Sequence, residues 1–184
     1  MIEVKPMSIT GAWIIESPIH RDDRGYFREW FKSSALEEKV GRGFDVTQAN
    51  MSRSQKGVVR GIHFSTSKLG QAKWVTCGAG VIWDVVVDIR PDSKTFMQWE
   101  AVELTSDNGR SVVISEGLGH AFIALEDNSI TIYALSSDYE PSMEFAVNPK
   151  DTDLAIEWPS NNLIFSERDL SAPTLKEFLS AQNY

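Results

Sequence analysis

From about residue 72 to residue 135 the apolar positions fall in short runs that read as strands: Lys73 to Cys77, Val81 to Ile89, Gln98 to Leu104, Ser111 to Ser115, Ala121 to Leu125 and Ile130 to Leu135. Turn formers separate them at Gly78-Ala79-Gly80, Pro91-Asp92-Ser93, Asp107-Asn108-Gly109, Glu116-Gly117 and Asp127-Asn128. Short strands at this even spacing predict an all-β sandwich or barrel. The longest run is also the clearest. Val81, Trp83, Val85, Val87 and Ile89 make one wholly apolar face, while Ile82, Asp84, Val86 and Asp88 make a mixed one. The apolar face is assigned to the core. Alternation alone leaves Asp84 and Asp88 open between a cavity lining and a solvated strand face.

Outside this region the period changes. Ser34-Ala35-Leu36-Glu37 has the form of a capping box opening a helix that ends near Gly41, and Pro173 is placed to open a C-terminal helix carrying Leu175, Phe178 and Leu179. No repeat, low-complexity stretch or linker divides the chain, so one domain over residues 1–184 is expected. Hydrophobic residues at 42% and charged residues at 24% are ordinary for a globular protein of 184 residues. No apolar run approaches the roughly 20 residues needed to span a bilayer, and Met1 to Pro6 lacks the pattern of a secretory signal, so a cytoplasmic, non-membrane protein is expected. A formal net charge of -8 argues against a general nucleic-acid surface; an anionic ligand must be met by a few placed cations. The single cysteine, Cys77, lies in an apolar stretch and reads as a small buried hydrophobe.

The chain holds three histidines, and His63 stands near two cations, in Arg60-Gly61-Ile62-His63 and on to Lys73. That combination points to acid/base chemistry. A catalytic metal takes about three protein ligands, and the third position of an H-x-H pair is here Ser65, so no metal is expected. Other candidates are Arg24 and Glu29 in Asp23-Arg24-Gly25-Tyr26-Phe27-Arg28-Glu29, then Gln48, Asn50, His120, Tyr133, Tyr139, Glu144 and Asp169. Taken singly, most have a plainer reading. His120, between Gly119 and Ala121-Phe122-Ile123, reads as a satisfied core histidine, Tyr133 as strand packing, and Glu144 and Asp169 as surface charge.

Taken together they carry a resemblance. Asp23-Arg24-Gly25 with Glu29, Gln48-Ala49-Asn50-Met51-Ser52-Arg53-Ser54, Gly57-Val58-Val59-Arg60-Gly61-Ile62-His63, Asp84 to Arg90, Glu116-Gly117 up to His120, Tyr133, Tyr139-Glu140-Pro141 and Ser166-Glu167-Arg168-Asp169 follow in order along almost the whole chain. This series resembles the dTDP-4-dehydrorhamnose 3,5-epimerases. The resemblance implies a metal-free, cupin-type antiparallel jelly roll and a homodimer that exchanges N-terminal strands. It implies that His63 is the general base, oriented by Asp169, that Lys73 stands near the sugar C4 carbonyl, and that Tyr133 returns the proton on the opposite face. It implies that Arg24, Arg60 and Arg168 border the nucleotide diphosphate. Glu29, Gln48, Asn50, His120 and Glu144 match further substrate contacts, Phe27 and Tyr139 fall in the matched segments, and Asp84 is expected to pair with His120. The run Tyr26-Phe27-Arg28-Glu29-Trp30-Phe31 suits a strand exchanged to a neighbour, where it would cover an open sheet edge.

The chemistry accounts for the residue types. Epimerisation beside a ketone removes a carbon-bound proton, forms an enolate and redelivers a proton from the other face, so it needs a base, an opposed acid and a cation at the oxygen. No redox cofactor is required, and no G-x-G-x-x-G stretch is present. The implied reaction is inversion of C3 and C5 of dTDP-4-dehydro-6-deoxy-D-glucose. The alternatives are inversion of one carbon only, ketone migration, and an inactive nucleotide-sugar-binding module. Three departures bear on substrate placement: Gly119-His120-Ala121-Phe122 in place of A-H-G-F, Ser65 near a common glutamine, and Met97 where glycine is typical.

Overall fold

The computed structural model describes residues 1–67 and 70–181. In chain order the strands are β1 (Glu3–Pro6), β2 (Ala12–Glu16), β3 (His20–Asp22), β4 (Gly25–Phe27), β5 (Gln48–Ser54), β6 (Val59–Ser65), β7 (Lys73–Ala79), β8 (Val81–Asp88), β9 (Trp99–Thr105), β10 (Arg110–Ile114), β11 (Leu118–Ala124), β12 (Ser129–Leu135) and β13 (Glu144–Ala146). The helices are α1 (Ser33–Val40), α2 (Glu167–Leu170) and α3 (Leu175–Ala181). Two antiparallel sheets stack as a jelly roll, one ordered β1-β2-β10-β7-β12-β5 and the other β13-β6-β11-β8-β9. The six runs predicted from residue 72 onward all form, as β7 to β12.

Burial occurs in three layers. Val75 and Cys77 of β7 meet Ile82 and Val86 of β8 between the sheets, together with Val112, Ile114, Leu118 and Phe122. Outside the five-stranded sheet, Ile62, Phe64, Val85, Val87 and Ala121 lie under Val147, Leu154, Leu175 and Phe178 from the C-terminal segment. Outside the six-stranded sheet, Ile15, Trp74 and Val113 are covered by Leu36 of α1 and by Phe44. The apolar face of β8 is core, as alternation assigns, and the mixed face, which alternation left open, is buried as well. Its wholly apolar face packs under the C-terminal segment, and its mixed face looks into the space between the sheets. Asp84 and Asp88 are both fully buried there, not solvated. Asp88 is consumed locally: it accepts hydrogen bonds from Arg90, Ser93 and Thr95, which overcome the effect of burial and hold its pKa at about 2.

The helix ends correct the capping expectation. α1 begins at Ser33 after Lys32, which makes no side-chain cap, so Ser34 and Glu37 form no box; Gly41 closes the helix in the left-handed region, as expected. The reciprocal box forms at α3, where the Thr174 hydroxyl accepts from the Glu177 amide and the Glu177 carboxylate accepts from the Thr174 amide. The run from Tyr26 to Phe31 is not one strand. Only Gly25–Phe27 is extended, paired within the chain to β3 as an exposed hairpin.

Two sequence departures find a physical setting. Gly61 has a φ of 123°, and a Cβ there would stand 2.5 Å from that of Ala121, so β6 and β11 approach closely because one of the two residues has no side chain. The Ala121 methyl faces the outer layer, away from the space between the sheets. Met97 takes a φ of 63° in the turn after β8, a conformation glycine adopts freely and other residues adopt at a cost of roughly 1 kcal/mol. Among the described residues, no helix is long and apolar enough to cross a membrane.

Candidate active site

A cavity of about 500 Å³ opens between the sheets, within the range typical of small-molecule sites. Strand alternation delivers its polar lining from both sides. From the five-stranded sheet come Arg60 and His63 on β6, His120 on β11 and Glu144 on β13; from the six-stranded sheet come Lys73 on β7, Tyr133 on β12 and Asn50 on β5. Register shows that these are cross-strand neighbours: His120 stands opposite His63, and Tyr133 opposite Asn50 and Val75. Phe122, Phe145, Phe165 and Leu135 supply apolar wall. Arg60, Arg168 and Tyr139 lie exposed around the cavity.

His63 places Nε2 2.8 Å from Asp169 Oδ1. Asp169 comes from α2, whose N-cap Ser166 accepts from the Asp169 amide at 3.0 Å. Burial alone would raise the Asp169 pKa, but His63, Ser166 and the Gly61 amide overcome it and hold the carboxyl below its ordinary value. An ionised carboxylate at Nε2 fixes the tautomer with Nδ1 unprotonated, so Nδ1 is the nitrogen left to take a proton. A second pair lies beside the first. His120 Nε2 is 2.8 Å from Asp84 Oδ2, but this pair is almost wholly enclosed.

Lys73 is 6% exposed and donates to the Gln71 side-chain carbonyl at 2.9 Å, while the Gln71 amino group donates to Glu144 at 3.3 Å. Burial lowers the Lys73 pKa to about 8, with Glu144 opposing the shift. A lysine that keeps its proton near neutrality, yet yields it readily, is suited to an oxygen that gains charge. Gln48 stands just behind the lining: it donates to Asn50 and accepts from the Tyr139 backbone, each at 2.9 Å.

The cavity therefore gathers His63, Asp169, Lys73, Tyr133, Asn50, Arg60, His120, Tyr139, Glu144 and Arg168, with Gln48 holding Asn50 and Tyr139 and Asp84 holding His120. It does not gather Arg24, Phe27 or Glu29. Arg24 and Phe27 sit on the exposed β3–β4 hairpin, where Arg24 pairs with Asp22, and Glu29 pairs with Lys32. The following Arg28 reaches Thr76 on the outer side of the six-stranded sheet, away from the cavity. Sequence reasoning did not single out Gln71; the period-two line of 71, 73 and 75 into β7 is the signal that would have found it. Nor did it find α2, since four residues are too few to show a helical period. Cys77 is buried with its thiol pushed up to about 11, as suits an inert packing residue. Among the described residues, no group of three His, Cys, Asp or Glu is placed to hold a metal ion.

Comparison with known proteins places the chain in a family. The sequence profile of the family described as dTDP-4-dehydrorhamnose 3,5-epimerase matches residues 6–177. A protein of that description from Mycolicibacterium smegmatis is 49% identical over 178 residues, covering 96% of this chain and 88% of its own. A 4-keto-6-deoxy sugar epimerase of the novobiocin gene cluster of Streptomyces spheroides superposes with a TM-score of 0.96 at 41% identity, over 99% of this chain and 92% of its own. A 3'-monoepimerase from Streptomyces bikiniensis, in complex with dTDP-quinovose, gives a TM-score of 0.91 at 42% identity, over 96% of this chain and 90% of its own.

Proposed function

The chain belongs to the dTDP-4-dehydrorhamnose 3,5-epimerase family, and from that membership and the cavity we propose that it inverts C3 and C5 of dTDP-4-dehydro-6-deoxy-D-glucose. The observation that carries the reading is the placement of His63 with Asp169 on one side of the cavity and Tyr133 with Lys73 on the other. A flat sugar ring held between them meets a base on one face and a hydroxyl on the opposite face.

In this reading His63 Nδ1 takes the proton from the carbon beside the C4 ketone, and the electron pair moves onto the C4 oxygen. Lys73 stabilises that enolate oxygen, which is more negative than the ketone oxygen and so is favoured over it. Tyr133 then delivers a proton to the opposite face of the same carbon, and the ketone re-forms with that centre inverted. The Asp169 carboxylate steadies the imidazolium that His63 becomes. Because C3 and C5 flank the same carbonyl, rotation of the sugar about its anomeric link presents each in turn. Arg60 and Arg168, in the open part of the cavity, meet the diphosphate, while Asn50, His120 and Glu144 hold sugar hydroxyls.

The same reading assigns the outlying hairpin to a neighbour. Residues 1–184 form one epimerase domain, and two copies pair so that Arg24, Phe27 and Glu29 complete the other subunit's cavity. Exposed Phe27, at 65%, and Met51, at 71%, support a covered surface of this kind. A second reading, inversion at C3 alone, is favoured by the likeness to a 3'-monoepimerase. Incubation with the dTDP-4-keto sugar in heavy water, followed by proton NMR, separates the two: loss of both the C3 and C5 signals supports double inversion, and loss of C3 alone supports the second reading. Tight binding with neither exchange overturns both.

A further inference from the structure

Gln71 is 5% exposed and stands between Lys73, the one lysine of the cavity among the described residues, and the Glu144 carboxylate. Its amide orientation is dictated by those two charges. Reversed, the amino group would face the Lys73 ammonium and the carbonyl would face the carboxylate, so neither hydrogen bond would remain. Among the described residues Lys73 makes no ion pair. The other charged or titratable groups of the cavity are His63 and Arg60 from β6, His120 from β11, Tyr133 from β12, Tyr139 beyond it, and Arg168 and Asp169 from α2. Of the two carboxylates in the cavity lining, Asp169 is already engaged by His63, which leaves Glu144 to act on Lys73 through Gln71.

We propose that Gln71 is a positioning residue of this site: its side-chain amide bridges Lys73 to Glu144, holding the ammonium toward the cavity and relaying the carboxylate's influence without a direct ion pair. The spacer resolves a conflict of requirements. A carboxylate in direct contact would neutralise the ammonium and compete with the reacting oxygen for its protons. With no polar partner, the buried ammonium would lose its proton near neutral pH. The amide carbonyl accepts a hydrogen bond from one Lys73 N–H and leaves the other two for the cavity. Only the identity of the oxygen they meet rests on the epimerase reading.

The test follows the titration of Lys73 by NMR of lysine labelled at Cε, in the full chain and in Gln71→Met, Gln71→Glu and Glu144→Gln, with circular dichroism and dTDP affinity as checks on folding. Gln71→Met and Glu144→Gln are expected to lower the midpoint from near 8 by about one unit, and Gln71→Glu to raise it, because each change alters the field at one buried charge. Adding Glu144→Gln to Gln71→Met should move the midpoint less than the sum of the two single shifts, since both act through one bridge. On the dTDP-4-keto sugar, Gln71→Met should lower kcat about ten- to a hundredfold, as a misplaced oxyanion donor does, with KM within about threefold. A folded Gln71→Met with an unmoved midpoint, or shifts that simply add, would overturn the bridge. If Gln71→Met does not fold, the opposite shifts of Gln71→Glu and Glu144→Gln decide, and shifts of the same sign count against it. Absence of turnover by the unmodified chain would sink the epimerase reading, while the titration would still decide the role of Gln71.

Discussion

His63 and His120 stand opposite each other on β6 and β11, and each holds an aspartate oxygen 2.8 Å from its Nε2, yet the two differ in how far they open to the cavity. The His63 side chain is 39% exposed and that of His120 is 9%. Asp84, behind His120, is fully buried and keeps one oxygen without a partner among the described contacts, so the two pairs differ in burial as well as in exposure.

His63→Ala should therefore remove solvent exchange at the sugar, with a loss of about 10²- to 10⁴-fold expected for a general base, while dTDP affinity changes less than about threefold. Asp169→Asn should retain part of the activity, because the carboxylate orients the base and does not itself react. Heavy-water NMR and calorimetry with dTDP check the two halves. Full activity in either variant would dissolve the proposed dyad.

Tyr133→Phe removes the opposed acid but leaves the base, so the first proton loss should continue while inversion falls away. The ratio of deuterium incorporation to net epimerisation is the measurement. A variant that inverts both centres at the normal rate would make Tyr133 a packing residue only.

Lys73→Met should raise stability at neutral pH as it abolishes turnover. The buried ammonium has a pKa of about 8, against 10.5 for an ordinary lysine. Below about 8 the folded and unfolded chains both carry the proton, so the folded state bears the full penalty of a buried charge; between about 8 and 10.5 the folded chain gives the proton up and the penalty fades. After allowing for the hydrogen bond lost at Gln71, a gain of about 1–2 kcal/mol is expected, or about 2–8 °C in Tm. Thermal melts at pH 7 and pH 10 test the sign, since the gain should shrink at the higher pH. A lower Tm at pH 7 would mean that Lys73 stabilises the fold.

Mixing two inactive proteins tests the assignment of the hairpin. Subunits carrying His63→Ala and subunits carrying Arg24→Ala should regain activity when re-paired, because one cavity of each hybrid then carries neither change. Light scattering under assay conditions should give a dimer. A fully active monomer, or no recovery on mixing proven hybrids, would return Arg24, Phe27 and Glu29 to surface roles.

The sequence by itself determined the strands from residue 72 to residue 135, because a period-two pattern between turn formers is a local property. The ordered motifs that carry a family resemblance were legible for the same reason: they are strings. The plain reading of Glu144 and Asp169 as surface charge was also a local reading, and there it failed, since Asp169 is buried and Glu144 lines the cavity; Tyr133 packs against the core as that reading had it, and lines the cavity as well. Nothing beside Asp169 in the chain reveals that a four-residue helix carries it to His63, 106 residues away. The tertiary structure alone decided which face of β8 looks inward, because the C-terminal segment that covers the apolar face lies far along the chain. It alone set Gln71 between Lys73 and Glu144, and put the β3–β4 hairpin outside the cavity. Alternation says which side chains share a face; only packing between distant segments says what that face meets.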